Sequence, residues 1–208
     1  MRYFNVGMLL LCLTAVARAD RVVVYAIDPS RTVITFSWTS FGLTSPSGHF
    51  SGVDGKIYGN LDHPESSWVD VRVPVRSLKT VAASVDRKLL DSGDFFKPRE
   101  YPEIRFHSES ILSVDRVGKS FTMPGSLTVN GISRPVLFVA RLESVGVGAN
   151  GKQEAVLSAT SSFSRSEFGM TSMPVLVGDH LFIQLTICAV EKSRIEVPYK
   201  PPADDLVR

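Results

Sequence analysis

Polar and apolar residues alternate along most of this chain. Residues 32–38 read TVITFSW, with Ile34, Phe36 and Trp38 on one face and Val33, Thr35 and Ser37 on the other. Residues 68–76 read WVDVRVPVR, where Val69, Val71, Val73 and Val75 alternate with Asp70, Arg72, Pro74 and Arg76. A period of two marks a strand with one buried and one wet face. Pro74 has no N–H to give to a ladder, so it predicts an edge, a bulge or a break. Further runs at 51–59, 103–110, 120–130, 135–142, 154–164 and 181–190 are bounded by Gly, Pro, Asn or Asp. They bring the count to about eight strands. The spacing predicts an all-β domain, an antiparallel barrel or a sandwich, and closure into a barrel would leave no unpaired edge.

One segment breaks the pattern. Residues 84–92, SVDRKLLDS, carry Val85, Leu89 and Leu90 at helical spacing, with Ser84 as the expected N-cap and Gly93 as a stop. Phe95 and Phe96 follow, and two adjacent aromatics in a loop predict packing against an apolar neighbour. The end of the chain, residues 191–208, is charged and contains three prolines. It reads as a poorly ordered extension outside the barrel, which assigns the barrel domain to residues 20–190.

Residues 1–19 are set apart from the fold. Arg2 precedes an apolar run from Gly7 to Val16, and Ala17-Arg18-Ala19 places small residues where a signal peptidase reads, so cleavage after Ala19 and export to a periplasm are expected. The apolar run is about half of what a spanning helix needs, and no later stretch is long enough for stable membrane insertion. Removing Arg2 and Arg18 leaves equal numbers of basic and acidic residues, against 23 and 21 in the whole chain. A balanced charge argues against nucleic acid as a partner. Cys12 lies in the signal segment, so Cys188 is alone in the remainder and reads as a small apolar strand residue.

Catalytic patterns are missing. There is no G-x-S-x-G, phosphate loop or H-E-x-x-H, and His49, His63, His107 and His180 are too scattered to predict a metal site or any cofactor. Residues 146–151 satisfy G-x-G-x-x-G but lead into a Ser-, Thr- and Val-rich strand, so Asn150-Gly151 reads as a hairpin turn. Asp86, Arg87, Asp91 and Asp94 fit the wet face of a short helix. Arg165 and Glu167, flanking Ser166, either fix a turn or line a mouth. An enzyme is therefore not expected.

The apolar inventory is generous, with 12 Phe and 2 Trp. From the alternating faces and nearby aromatics, the candidate interior lining is Ile34, Phe36, Trp38, Phe41, Val71, Val73, Phe95, Phe96, Ile104, Phe106, Met123, Leu127, Phe138, Phe163, Phe168 and Ile183. An eight-stranded barrel of this kind is either filled by side chains or left with room for one ligand. Alternation leaves both outcomes open.

Four ordered blocks resemble the YceI family of bacterial periplasmic proteins. The opening YAIDPSRTVITFSWTSFGLTSPSGHFSGVDGKI is similar to the family start, and DRKLLDSGDFFKPREYPEIRFHSESI to its centre. GSLTVNGISRPVLF, then FSRSEFGM and VGDHLFIQLTI, resemble its closing elements. The resemblance runs from about Tyr25 to Ala189. It implies a lipocalin-like, extended antiparallel barrel that holds a polyisoprenoid or similar long-chain amphiphile, such as an isoprenoid quinone or its precursor. The departures fall on polar positions: Ser30-Arg31, Asp86-Arg87, Leu89 and Ser126. Whether two barrels pair as a homodimer is left open.

Overall fold

In the computed structural model of the chain, residues 19–41, 45–115, 117–149 and 151–198 are described. Twelve strands form among them: β1 (Ala19–Ile27), β2 (Val33–Trp38), β3 (Ser47–Phe50), β4 (Asp54–Asn60), β5 (Trp68–Pro74), β6 (Lys79–Thr80), β7 (Glu103–Ser108), β8 (Leu112–Asp115), β9 (Ser120–Val129), β10 (Ile132–Val147), β11 (Gln153–Ser164) and β12 (His180–Pro198). Helix α1 (Ala83–Asp91) lies between β6 and β7. Eight strands close an antiparallel barrel in the order β1-β4-β5-β7-β9-β10-β11-β12, with β12 pairing back to β1. The alternation at residues 69–75 is realised literally, since Val69, Val71, Val73 and Val75 are all buried. Pro74 ends β5, and a 3-10 turn, Val75–Ser77, takes the chain on to β6.

The closing strand is the long β12. Its residues Leu181 to Thr186 pair with β2, and its residues Ala189 to Pro198 pair with β1. β1 and β2 therefore lie end to end along one edge of β12. The turn between them is tied down by Asp28, which accepts bonds from Ser30 and Arg31, while Arg31 also reaches Glu154 on β11 at 2.8 Å. The Ser30 and Arg31 bonds hold the Asp28 carboxyl down to about 2. Thr32, fully buried, receives the backbone N–H of Cys188 on its hydroxyl. Beyond β2, strands β3 and β6 carry the wall on towards α1.

Three expectations are corrected. β1 was not among the eight runs, because Val22, Val23 and Val24 are consecutive and all buried, so no alternation marks the strand. A bulge between Val24 and Tyr25 in its pairing with β12 further disturbs the period. The chain also does not leave the fold at Val190. Residues 191–198 continue β12, paired with β1 from Tyr25↔Glu191 to Ala19↔Pro198, while residues 199–208 lie outside the described residues. Their charges are compatible with a strand because they project into solvent, and Arg194 pairs with Glu191 along it. Finally, α1 starts at Ala83 with Ala82 in the N-cap position, so Ser84 is no cap. The Asp86 side chain instead ties the helix to β6, accepting both the backbone N–H and the hydroxyl of Thr80 at 2.7 Å.

Other expectations hold. Gly93 follows the helix with a φ of 73°. The G-x-G-x-x-G stretch forms the β10–β11 hairpin, closed by the N–H of Gly148 on Lys152 O, with Gly151 at a φ of 74°. Asn150 itself lies outside the described residues.

Candidate binding chamber

The inward faces of the barrel enclose a narrow chamber with about 120 Å³ of free space. Its wall is entirely apolar. β2 supplies Ile34 and Phe36, β3 Phe50, and β5 Val69, Val71 and Val73. β7 adds Ile104 and Phe106, and β9 adds Met123, Leu127 and Val129. β10 and β11 give Phe138, Ala159 and Phe163, and β12 gives Leu181, Ile183, Leu185 and Ile187. Phe96 and Met170 complete the wall from loops. Phe106 and Phe138 meet edge-to-face at 5.0 Å across the wall. Gly125 gives Phe106 its place, since a Cβ there would stand 2.4 Å from the ring.

Of the sixteen residues expected from sequence, twelve stand on this wall: Ile34, Phe36, Val71, Val73, Phe96, Ile104, Phe106, Met123, Leu127, Phe138, Phe163 and Ile183. Trp38, Phe95 and Phe168 are buried in the core but do not line the chamber. Phe41 is a correction. It is 64% exposed, in a left-handed turn beyond the end of β2, where the strand period no longer dictates direction. Several wall residues went unread although their signal was present. Val69 continues the alternation of Val71 and Val73, Val129 that of Leu127, and Leu181, Leu185 and Ile187 that of Ile183. Phe50 sits on a four-residue strand, and Met170 follows a 3-10 turn, Arg165–Phe168, so no period marks either.

Near α1 the barrel end is closed by loops. Asn130, in the β9–β10 turn, donates from Nδ2 to Phe95 O at 2.7 Å and accepts the N–H of Lys97. Arg165, only 3% exposed, donates to the carbonyls of Gly178, Met170, Ser172 and Val177, and its guanidinium lies 5.5 Å from the Phe95 ring centre. Burial lowers its pKa from the usual arginine value, with nearby Asp179 opposing. Of the two roles open for Arg165, the structure shows the first: it fixes a turn. Trp38 stacks on Phe36 at 5.8 Å, and its buried Nε1 finds no hydrogen-bond partner among the described residues.

The titratable groups lie away from the chamber. His107 sits on the outer face of β7 and meets Asp70 at 2.5 Å; that hydrogen bond raises its pKa above the ordinary histidine value. His63 meets Glu65 at 3.1 Å in the turn after β4. Burial pushes the Cys188 thiol up, away from reactivity. Among the described residues no group of His, Cys, Asp and Glu is placed to hold a metal, and no helix is long and apolar enough to cross a membrane.

Comparison with known proteins places this geometry. Residues 25–189 match the family model of the YceI-like domain. A UPF0312 protein of Pseudomonas syringae pv. tomato is 28% identical over 171 residues, 81% of this chain and 87% of that protein. The crystal structure of Burkholderia cenocepacia BcnA superposes with a TM-score of 0.68 at 15% identity, covering 78% of this chain and 98% of the other. A polyisoprenoid binding domain from Saccharophagus degradans superposes with a TM-score of 0.58 at 10% identity, covering 81% and 98%.

Proposed function

From the premise that this chain belongs to the YceI-like family, we propose that it is an exported binding protein that sequesters a polyisoprenoid or similar long-chain amphiphile inside its barrel. The observation that carries this reading is the chamber wall, which presents only apolar side chains. Such a wall offers a hydrocarbon tail ~25 cal/mol for each Å² it removes from water, and offers a charged substrate nothing. The solved polyisoprenoid binding domain, alike in fold, supports the same ligand class. An isoprenoid quinone belongs to this ligand class, because its bulk is hydrocarbon and its head is uncharged.

The role is carriage or storage rather than catalysis. The histidine–carboxylate contacts, of His107 with Asp70 and Glu109 and of His63 with Asp20 and Glu65, stand outside the chamber, so they cannot act on a buried chain. Export to a periplasm, with cleavage after Ala19, belongs to the proposal: an apolar ligand crossing an aqueous compartment needs a shield from water. Native mass spectrometry of protein exported in its own host, followed by lipid extraction, tests the reading. A stoichiometric isoprenoid adduct is expected. Protein found consistently at the bare polypeptide mass would overturn it.

A further inference from the structure

At two inward positions of the wall a strand presents a glycine, and a phenylalanine from the neighbouring strand lies over it. Gly48 of β3 pairs directly with Phe36 of β2, so both face the interior. A Cβ at Gly48 would stand 2.7 Å from Cζ and 2.8 Å from Cε1 of the Phe36 ring. Gly125 of β9 seats the Phe106 ring of β7 in the same way. Phe106 and Phe138 belong to the strands on either side of β9, and their rings meet at 5.0 Å where Gly125 leaves the way clear.

Both rings belong to the chamber wall, and their sideways room is taken. Phe36 stacks on Trp38 at 5.8 Å and tilts against Phe50 at 5.3 Å. Protein interiors are close-packed, so a ring pushed off its seat cannot slide along the wall. It turns instead into the one space left open, the chamber's about 120 Å³. A cavity of about 150 Å³ holds one benzene, so a single displaced ring is comparable with that space. The two seats differ in what else a Cβ would meet. At Gly125 the backbone O of His107 lies only 2.5 Å away, so close strand approach already demands a glycine. At Gly48 the next atom is Lys79 O at 3.0 Å, which a small shift relieves, and the Phe36 ring is the main obstacle.

We infer that Gly48 is a specificity-determining residue: by seating Phe36 against the wall, it sets the thickness of the chain that the chamber accepts. The inference rests on the lipid-carrier reading and adds which part of the ligand is selected. A wall made only of apolar side chains reads no head group, so selection falls on the width of the tail. A side chain at position 48 lifts the ring and narrows the bore, and a smaller residue at position 36 widens it.

Retinol and farnesol serve as probes. Both are uncharged isoprenoid alcohols, but retinol ends in a bulky ring and farnesol is an open chain. Retinol binding to the purified, delipidated full chain is read by fluorescence, and farnesol binding by displacement of retinol. Gly48→Ala should shift the ratio of the two affinities towards farnesol at least about threefold, and Phe36→Leu towards retinol by a similar factor. Gly48→Ala combined with Phe36→Leu removes the ring that the new methyl meets, and should restore the natural ratio. Gly146→Ala, a position with open space around it, should leave the ratio unchanged. A loss of stability alone weakens both probes together and does not move the ratio. An unmoved or reversed ratio in Gly48→Ala or Phe36→Leu would overturn the inference, as would an equal shift in Gly146→Ala. Should Gly48→Ala not fold, Phe36→Leu decides alone. A natural chain that binds both probes while the variants keep its ratio loses only this inference. A natural chain that binds neither probe loses the carrier reading as well.

Discussion

Arg165 shows how much one side chain can hold in place. Its guanidinium reaches four backbone carbonyls of the 170–178 connection while almost wholly buried. A lysine there has three donors at one point and cannot serve that spread. Arg165→Lys is expected to lose about 2–4 kcal/mol in chemical denaturation, since carbonyls left unmet in a buried site keep their desolvation cost. Asp28 acts at the same scale and is legible by pH. Its folded value, about 2, lies below the ordinary 3.8, so its bonds to Ser30 and Arg31 stabilise above about 3.8 and are lost as pH falls towards 2. The difference in melting temperature between the natural chain and Asp28→Asn should be steady from about pH 5 upward, shrink below about 4 and vanish near 2.

Among the elements, β12 is the one on which closure depends. It pairs with β11 on one side and with β2 and then β1 on the other. Deleting residues 191–208 removes the register from Tyr25↔Glu191 to Ala19↔Pro198. At roughly 0.2–1 kcal/mol per cross-strand pair, the cost should be about 2–4 kcal/mol, read as a lower denaturation midpoint. If 191–198 were a loose extension, the midpoint would not move. The strand is hard to read in sequence because one backbone edge, not a buried face, holds it: EKSRIEVP can be charged and still pair. β1 hides for the opposite reason, being buried on consecutive residues.

For the molecule as a whole, the unfilled interior is the feature with consequences. Ala159 is a small residue on the chamber wall, facing a ring of larger ones. Ala159→Phe should occupy part of the space, keep the barrel folded at a cost of about 1–3 kcal/mol, and abolish the lipid adduct seen by native mass spectrometry. Adduct formation at the natural level would separate ligand binding from the chamber. A wall without charge can hold a hydrocarbon tail apart from water.

Alternation by itself determined the all-β class, seven of the eight barrel strands and most of the wall, because the side-chain period of two on a strand is local and survives in any sequence window. Together with the neighbouring aromatics it put twelve of sixteen expected residues on the chamber, whereas Trp38, Phe95 and Phe168, expected there too, pack into the core instead. What it could not decide was non-local. It counted β2 among its eight runs, whereas β1 is the strand that closes the ring, because both lie along the same edge of β12. Phe41 turned outward because direction in a loop follows its backbone turn, not a period. Above all, a filled core and an open chamber have the same alternation. Only the packing of all eight strands around one axis decides whether the inward side chains meet in the middle, and here they leave about 120 Å³ between them.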